Sequence, residues 1–236
     1  MRTRIGTIKK QMKRLCSGLL ILAGCISLSS QVVLAADWPD DVSVSSPSAI
    51  VMDYSTGTIL YEKNANEQLY PASITKIMTA IIAIENKDVN DIVKVDESIS
   101  KSYGSGIYIS VGEEIKLIDL LYGLMLRSGN DAAMMIASYV SGSEEEFVKL
   151  MNQKAKELGM KNTIFYNSSG LDTETIGNKS TAYDMALVTR YAMQNETYKS
   201  IVKTKKYTVK TNLKTYVWHN KNKLLQYGFY NYTTYY

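Results

Sequence analysis

The stretch Tyr70-Pro71-Ala72-Ser73-Ile74-Thr75-Lys76 places a Ser-x-x-Lys pair where a helix is predicted to begin. Proline favours a helix start, and the apolar run 77–84 predicts a buried helix over 73–85. Residues three apart share one helix face, so the Lys76 amine can reach the Ser73 hydroxyl, which we expect to be buried. A neutral lysine there can take the serine proton, which requires a pKa lowered by burial or by a neighbouring cation. The positive end of the helix dipole also favours an anionic intermediate at that position.

Context distinguishes this pair from two others of the same spacing. The chain contains three Ser-x-x-Lys copies, namely Ser73/Lys76, Ser98/Lys101 and Ser200/Lys203. The second and third lie in polar or strand-like surroundings, which favours their interpretation as exposed polar residues. For Ser73 the alternative is a helix N-cap serine with a solvated lysine one turn later, and spacing alone does not decide between the two.

A second motif, Ser128-Gly129-Asn130, interrupts two predicted helices over 115–126 and 131–139. A loop between helices can present a hydroxyl and an amide into a cleft. The hydroxyl can relay a proton to a leaving amine, and the amide can hold a substrate peptide group. The alternative is an ordinary helix-helix turn in which Asn130 is the N-cap of the second helix.

The rest of the chain alternates strand and helix patterns. The predicted elements are a hairpin of 49–54 and 58–62, a helix over 144–158 closed by Gly159, a helix over 181–193 with Thr181 and Asp184 spaced as a capping box, and two short strands within 207–217. We find no internal repeat and no flexible linker. The sequence therefore predicts one α+β domain of about 200 residues.

Composition excludes several classes of protein. The chain has 236 residues, of which 45% are hydrophobic and 21% charged, so a disordered chain is excluded. His219 is the only histidine, and both cysteines, Cys16 and Cys25, fall near the N-terminus. A Ser-His-Asp triad and a multi-histidine zinc site are therefore not expected.

The N-terminus reads as an export signal. Residues 1–14 carry six basic and no acidic residues, an apolar run covers 15–26, and small residues follow at Ala35 and Ala36. This order predicts a secretory leader over 1–36 and an exported, extracytoplasmic protein. Leu22-Ala23-Gly24-Cys25 resembles a lipobox, so a lipid anchor on Cys25 is a rival prediction and the only route to membrane association. Without the leader the charge is 21 basic against 23 acidic residues, which removes the reason to expect a nucleic-acid partner.

Together the two motifs resemble the serine-type D-alanyl-D-alanine carboxypeptidases, which are low-molecular-mass penicillin-binding proteins and relatives of the class A β-lactamases. Further stretches support the resemblance at 50–57, 167–171, 180–186 and 218–225. The resemblance covers about residues 40 to 225. Ser-Gly-Asn in place of Ser-Asp-Asn points to the carboxypeptidase branch rather than to a β-lactamase.

The resemblance implies a β-lactamase/DD-peptidase-like fold, with an antiparallel sheet flanked by helices. It assigns Ser73 as the nucleophile that forms an acyl-enzyme and Lys76 as its general base. Ser128 and Asn130 become the second catalytic element, with Asn130 binding substrate. The implied partners are a peptidoglycan stem peptide, which loses its terminal D-alanine, and β-lactams, which acylate the same serine. No metal or organic cofactor is implied.

The third motif of the family, Lys-Thr-Gly, is absent from this sequence. Lys-Thr occurs at 203–204, 210–211 and 214–215, and none is followed by glycine. Residues 226–236 contain no charge and five tyrosines, a shift in composition typical of a truncated or out-of-frame end. We therefore expect 37–236 to be an incomplete DD-peptidase domain that lacks C-terminal strands and hydrolyses D-Ala-D-Ala poorly. Two further alternatives are a non-catalytic peptidoglycan-binding or regulatory remnant and, less favoured, a β-lactamase.

Overall fold

The computed structural model describes residues 44–173 and 176–221, and their elements belong to the unit that begins at Ser45. The helices are α1 (Lys76–Asn86), α2 (Leu117–Arg127), α3 (Asn130–Ser141), α4 (Glu144–Glu157), α5 (Ala182–Ala192) and α6 (Glu196–Val202), with 3-10 helices at Ala72–Thr75 and Glu97–Lys101. The strands are β1 (Ala49–Met52), β2 (Ile59–Lys63), β3 (Ile92–Lys94), β4 (Glu114–Lys116), β5 (Lys206–Lys210) and β6 (Thr215–His219). The predicted leader, Cys25 and the residues after 221 lie outside this part of the chain.

Helix α1 is the centre of the fold. Its side chains from Met78 to Ala83 are buried, and it packs against each of the other five helices. A helix that is apolar around most of its circumference is stable only when other elements surround it. Because the Ser-x-x-Lys lysine is its first residue, the core fixes the position of that side chain.

The strands pair only with their neighbours in sequence. Within residues 44–173 and 176–221 they form three antiparallel pairs, β1 with β2, β3 with β4, and β5 with β6. The α+β class predicted from the sequence is confirmed. None of the helices in these ranges combines the length and apolar character needed to cross a membrane.

Local signals explain where the longer helices begin and end. The Ser143 side chain accepts a hydrogen bond from Glu146 N–H at the start of α4, and Gly159, at φ +75°, follows its end. At α5, the Thr181 hydroxyl accepts from Asp184 N–H, which is half of the predicted capping box. The Asp184 carboxylate accepts instead from Asn162 N–H and from the Thr163 hydroxyl, so it ties a distant loop to the helix start.

Three assignments of element type differ from the sequence predictions. The helix predicted from Ser73 is a 3-10 turn over Ala72–Thr75 before the α-helix begins at Lys76. Residues 115 and 116 belong to β4 rather than to α2. Ser200 lies in α6, not in strand-like surroundings. Each error concerns a short element, where packing decides between competing local preferences.

Candidate active site

Ser73 is in the 3-10 turn ahead of α1, and its side chain is exposed, not buried as expected. The N-cap of that turn is Pro71, and no side chain caps it. The interpretation of Ser73 as a helix cap is therefore wrong. An exposed hydroxyl next to a buried amine allows a substrate to reach the oxygen while the amine stays shielded from water.

Lys76 is 2% exposed and makes three polar contacts. Its Nζ lies 3.2 Å from Ser73 Oγ, 2.8 Å from Asn130 Oδ1 and 2.6 Å from the Ser169 carbonyl oxygen. Burial lowers the pKa of Lys76 to about 8, although the Asp131 carboxylate raises it in part. The depressed pKa thus comes from burial, and a neighbouring cation is not its cause.

These three contacts match the two N–H groups and the one lone pair of a neutral amine. A neutral lysine has two N–H groups, and the structure offers two acceptors, Asn130 Oδ1 and the Ser169 carbonyl. The remaining lone pair then faces Ser73 Oγ, so the hydroxyl can donate its proton to it. In the ammonium form, Nζ donates to all three oxygens instead.

The rate of covalent labelling by benzylpenicillin is expected to follow the protonation of Lys76. Only the neutral amine accepts the Ser73 proton, so the second-order rate constant should rise about tenfold per pH unit below pH 8 and level off above it. The measurement is the labelling rate between about pH 6 and pH 9.5, with circular dichroism at each pH as the control for folding. A rate that is constant across this range would contradict the assignment of Lys76 as the base.

Ser128-Gly129-Asn130 forms the junction of α2 and α3. Ser128 adopts a left-handed conformation, φ +59°, at the end of α2, and Gly129 is the N-cap residue of α3. A Cβ on Gly129 would lie 2.9 Å from Asp131 Oδ1, so glycine suits the close approach there. The interpretation of Asn130 as an N-cap is wrong, because its side chain accepts from Lys76 and its Nδ2 donates to the Tyr103 carbonyl at 2.7 Å.

Lys76 is in direct contact with both Ser73 and Asn130, whereas the described residues show no hydrogen bond from Ser128 to any of the three. Ser128 is half-buried, and its hydroxyl makes no hydrogen bond within the described ranges. The hydroxyl is therefore free to bond to a ligand. The two other Ser-x-x-Lys copies have no such contacts among the described residues: the Ser98 hydroxyl is buried without a hydrogen-bond partner, and Ser200 is exposed on α6.

Asp131 supports the site and was not singled out from the sequence. Its buried carboxylate accepts the backbone N–H groups of Ile107, Tyr108 and Ile109, at 2.6 to 3.3 Å. These bonds fix the loop that precedes β4 against the start of α3, beside Asn130. No local spacing pairs Asp131 with a loop 22 to 24 residues earlier, so residue spacing does not predict this role.

The segment 167–171, quoted above for the resemblance, lies along the other side of Lys76. The Ser169 carbonyl accepts from Lys76, and the Ser168 carbonyl accepts from the Thr79 hydroxyl at 2.6 Å. Asn167 Oδ1 accepts from Gly170 N–H at 2.7 Å, which holds the segment in a tight turn. A backbone carbonyl is therefore part of the site, and no residue-type pattern identifies it.

Gly170→Ala is expected to lower the free energy of unfolding by at least about 3 kcal/mol. Gly170 has φ +78°, and an added Cβ would lie 1.8 Å from the Ala72 carbonyl oxygen. Ala72 itself has φ +47°, so the turn that carries Ser73 has little freedom to move away. Urea denaturation measures the loss.

Gly112→Ala is the matched control for that prediction. Gly112 has φ +84° but nothing within 4 Å of an added Cβ, so it isolates the backbone penalty, about 1 kcal/mol. Equal losses in the two variants would mean that the approach of Gly170 to Ala72 does not constrain the turn.

A cleft of about 270 Å³ opens beside Asn130 and Ser169. It is lined by Lys101, Ser102, Tyr103, Asn130, Met134, Glu144, Tyr166, Asn167, Ser169, Leu171, Thr173 and Ile176. Asn130 and Ser169, the two acceptors of the Lys76 amine, line its wall. A ligand in the cleft therefore meets the residues that hold the Lys76 amine.

The chain is similar to one known protein family over most of its length. A family model described as D-alanyl-D-alanine carboxypeptidase, peptidase family S11, matches residues 34–235. This chain belongs to that family.

Curated relatives place the chain within the same group. D-alanyl-D-alanine carboxypeptidase DacF of Bacillus subtilis is 38% identical over 92% of this chain and 57% of its own length. DacC of Escherichia coli is 37% identical over 75% of this chain and 47% of its own length. The chain thus spans about half the length of these curated relatives. A carboxypeptidase of a Streptomyces species is 35% identical, with 76% of its length matched by 89% of this chain.

Solved structures show the same fold. The D-alanyl-D-alanine carboxypeptidase of Mycobacterium tuberculosis superposes with a TM-score of 0.74 at 29% identity, over 80% of this chain and 72% of that structure. A variant of a Streptomyces DD-transpeptidase gives a TM-score of 0.75 at 32% identity, over 79% and 78% of the two chains. The DD-peptidase fold expected from the resemblance is confirmed.

Proposed function

We propose that this S11-family protein is a serine-type D-Ala-D-Ala carboxypeptidase that removes the terminal D-alanine of peptidoglycan stem peptides. The observation that carries the proposal is the environment of Lys76, in which two acceptors bind a neutral amine and its lone pair faces Ser73 Oγ. Such an amine deprotonates a hydroxyl without a histidine.

In the proposed acylation, Ser73 Oγ attacks the carbonyl carbon of the penultimate D-alanine while its proton passes to Lys76. The tetrahedral intermediate collapses when the C–N bond breaks, and the leaving amine takes that proton from Lys76 through the Ser128 hydroxyl. Asn130 holds the substrate peptide group. The products of this half-reaction are free D-alanine and an ester on Ser73.

In the proposed deacylation, water attacks the ester carbonyl and gives its proton to Lys76. The C–O bond to Ser73 then breaks, and the proton returns to the serine oxygen, which leaves a stem peptide shortened by one residue. A β-lactam forms the corresponding ester on Ser73 when its ring amide opens. No metal or organic cofactor takes part in this sequence of steps.

The proposed setting is the outer side of a bacterial membrane. The basic, apolar and small-residue segments of 1–36 support export, and Cys25 within Leu-Ala-Gly-Cys supports a lipid anchor as the alternative to cleavage after Ala36. Peptidoglycan, the proposed substrate, is found there. Intact-mass analysis of the exported protein distinguishes a mature N-terminus at a lipidated Cys25 from one produced by cleavage after Ala36.

We expect the 236-residue polypeptide to acylate with penicillin but to turn over a D-Ala-D-Ala peptide slowly, because its sequence has no Lys-Thr-Gly to bind the substrate carboxylate. A fluorescent penicillin and a steady-state D-alanine release assay test both parts, with mass spectrometry locating the adduct on the Ser73 peptide. Absence of an adduct would favour a non-catalytic peptidoglycan-binding or regulatory protein. Rapid loss of the adduct with drug turnover would favour a β-lactamase, and peptide turnover at an ordinary enzyme rate would contradict the expected impairment.

A further inference from the structure

Positive charge is concentrated on and around the β5–β6 hairpin. Residues 203–221 contain six lysines and no acidic residue, whereas residues 44–202 contain 14 basic and 20 acidic residues. All six lysines are exposed, and they are Lys203, Lys205, Lys206, Lys210, Lys214 and Lys221. Charge that is separated in this way gives one face of the protein a positive potential, although the chain without residues 1–36 is slightly acidic as a whole.

The outward face of the hairpin carries no acidic side chain. Strand alternation gives it six exposed residues, which are Lys206, Thr208, Lys210, Thr215, Val217 and His219. Lys206 and Lys210 form no salt bridge within residues 44–173 and 176–221. The exposed Glu114 contacts the hairpin at its turn, where its backbone N–H donates to Asn212 Oδ1. The two strand lysines are therefore available to an anionic partner.

The inward face fixes the hairpin to the rest of the domain. Tyr207 stacks on Tyr122 of α2, with ring centroids 3.6 Å apart, and its hydroxyl donates to Asp119 Oδ1. Trp218 of β6 is buried on the same side. Because the strands are held in this way, a partner that binds the outward face meets an arrangement that is already ordered.

Two exposed apolar side chains lie among the lysines. Leu213, in the turn between β5 and β6, is 57% exposed, and Val217 on the outward face is 49% exposed. A soluble phosphate polymer has no apolar region to receive such groups, whereas a bilayer accepts them at the boundary between headgroups and acyl chains. The combination therefore favours a membrane surface as the partner.

We propose that the β5–β6 hairpin binds the surface of a bilayer that contains anionic phospholipids, with its lysines at the headgroup phosphates and its two apolar side chains at the boundary below them. The contact is separate from any lipid on Cys25. The inference goes beyond the proposed carboxypeptidase function and does not rest on it. Salt screens this attraction, so binding weakens as the ionic strength rises.

Acetylation of lysines in the full-length chain, with and without vesicles, tests the proposal locally. The vesicles contain equal parts of phosphatidylglycerol and phosphatidylcholine, and mass spectrometry measures the rate at each lysine. We expect them to slow acetylation of Lys206 and Lys210 at least about fivefold relative to Lys156 and Lys161, two exposed lysines at the end of α4 and just after it. Vesicles of phosphatidylcholine alone should protect neither pair. Because each lysine is read separately, the basic residues of 1–36 do not affect the comparison.

Unchanged acetylation of Lys206 and Lys210, or equal slowing at all four lysines, would overturn the proposal. The strand lysines would then be residues that keep an exposed sheet edge from pairing with other chains.

Two double variants measure what the lysines contribute to binding. In co-sedimentation with the same vesicles, Lys206→Gln with Lys210→Gln should weaken binding about twentyfold, because each lysine near an anionic surface contributes about fivefold. The control, Lys156→Gln with Lys161→Gln, removes the same charge elsewhere and should leave binding unchanged. Equal losses in the two double variants would overturn the proposal, since net charge alone would then explain the attraction.

The apolar residues distinguish a bilayer from a soluble polyanion. Leu213→Gln with Val217→Thr should weaken binding to the vesicles and leave binding to soluble polyphosphate unchanged. Binding to polyphosphate without binding to vesicles, or vesicle binding that is unaffected by both apolar substitutions, would overturn the membrane surface as the partner. Circular dichroism checks the folding of each variant. None of these measurements uses acylation, so a failure of the proposed role of Ser73 leaves the result intact.

Discussion

Ser73→Ala is expected to abolish the covalent penicillin adduct completely, while Ser98→Ala and Ser200→Ala label at the rate of the unsubstituted chain. Ser73 is the only one of the three serines whose hydroxyl contacts the lysine of its own Ser-x-x-Lys pair in the described parts of the chain. Without an oxygen at position 73, no ester can form. The other two serines share the spacing but lack a buried amine, so they are matched controls for the motif itself.

Mass spectrometry after benzylpenicillin treatment measures this outcome, and gel fluorescence gives the rates. The exposed position of Ser73 makes the substitution mild for folding, which a urea denaturation curve checks. An adduct that persists in Ser73→Ala, or that disappears in Ser98→Ala, would remove the basis for the proposed nucleophile.

Lys76→Met is expected to lower the rate constant of acylation by about 10³-fold, the range of general-base contributions. Methionine fills most of the volume of the lysine stem but cannot accept the Ser73 proton. It also leaves Asn130 Oδ1 and the Ser169 carbonyl without their donor, so some loss of stability is expected as well.

Lys76→Arg distinguishes the role of Lys76 as a base for Ser73 from its role as a hydrogen-bond donor to Asn130 and Ser169. Arginine supplies N–H groups to Asn130 and Ser169 but does not lose a proton in proteins, so acylation should stay low even if stability recovers. The control Lys203→Met removes an exposed lysine with the same motif spacing and should leave the rate unchanged. An arginine variant that acylates at the original rate would show that Lys76 acts as a charge and not as a base.

The sequence predicts those parts of the site that depend on local geometry. A three-residue separation at a helix start brings Lys76 to Ser73 whatever the rest of the fold does. The Ser-Gly-Asn break between two apolar helices likewise predicts a loop that faces a cleft. The sequence does not predict how exposed these side chains are. Ser73 was expected to be buried, and it is exposed. Side-chain exposure depends on which elements pack nearby, and periodicity does not contain that information.

Long-range contacts lie beyond such predictions. Asn130 and Ser169 are 54 and 93 residues from Lys76 in sequence, and they reach it because α3 and the 167–171 segment pack around α1. Asp184 shows the same limit at α5, where one half of a predicted capping box is replaced by bonds to Asn162 and Thr163. Residue types indicate which groups can bond, whereas tertiary packing decides which of them do.

The placement of Lys76 at the start of a helix surrounded by the five others has a consequence for refolding experiments. The amine is dehydrated only after α1 is enclosed, so a partly collapsed chain has a charged lysine and an inert serine. Brief pulses of fluorescent penicillin during recovery from urea would therefore count only molecules whose interior has closed. The increase of labelling with refolding time would therefore measure the rate of the last stage of folding.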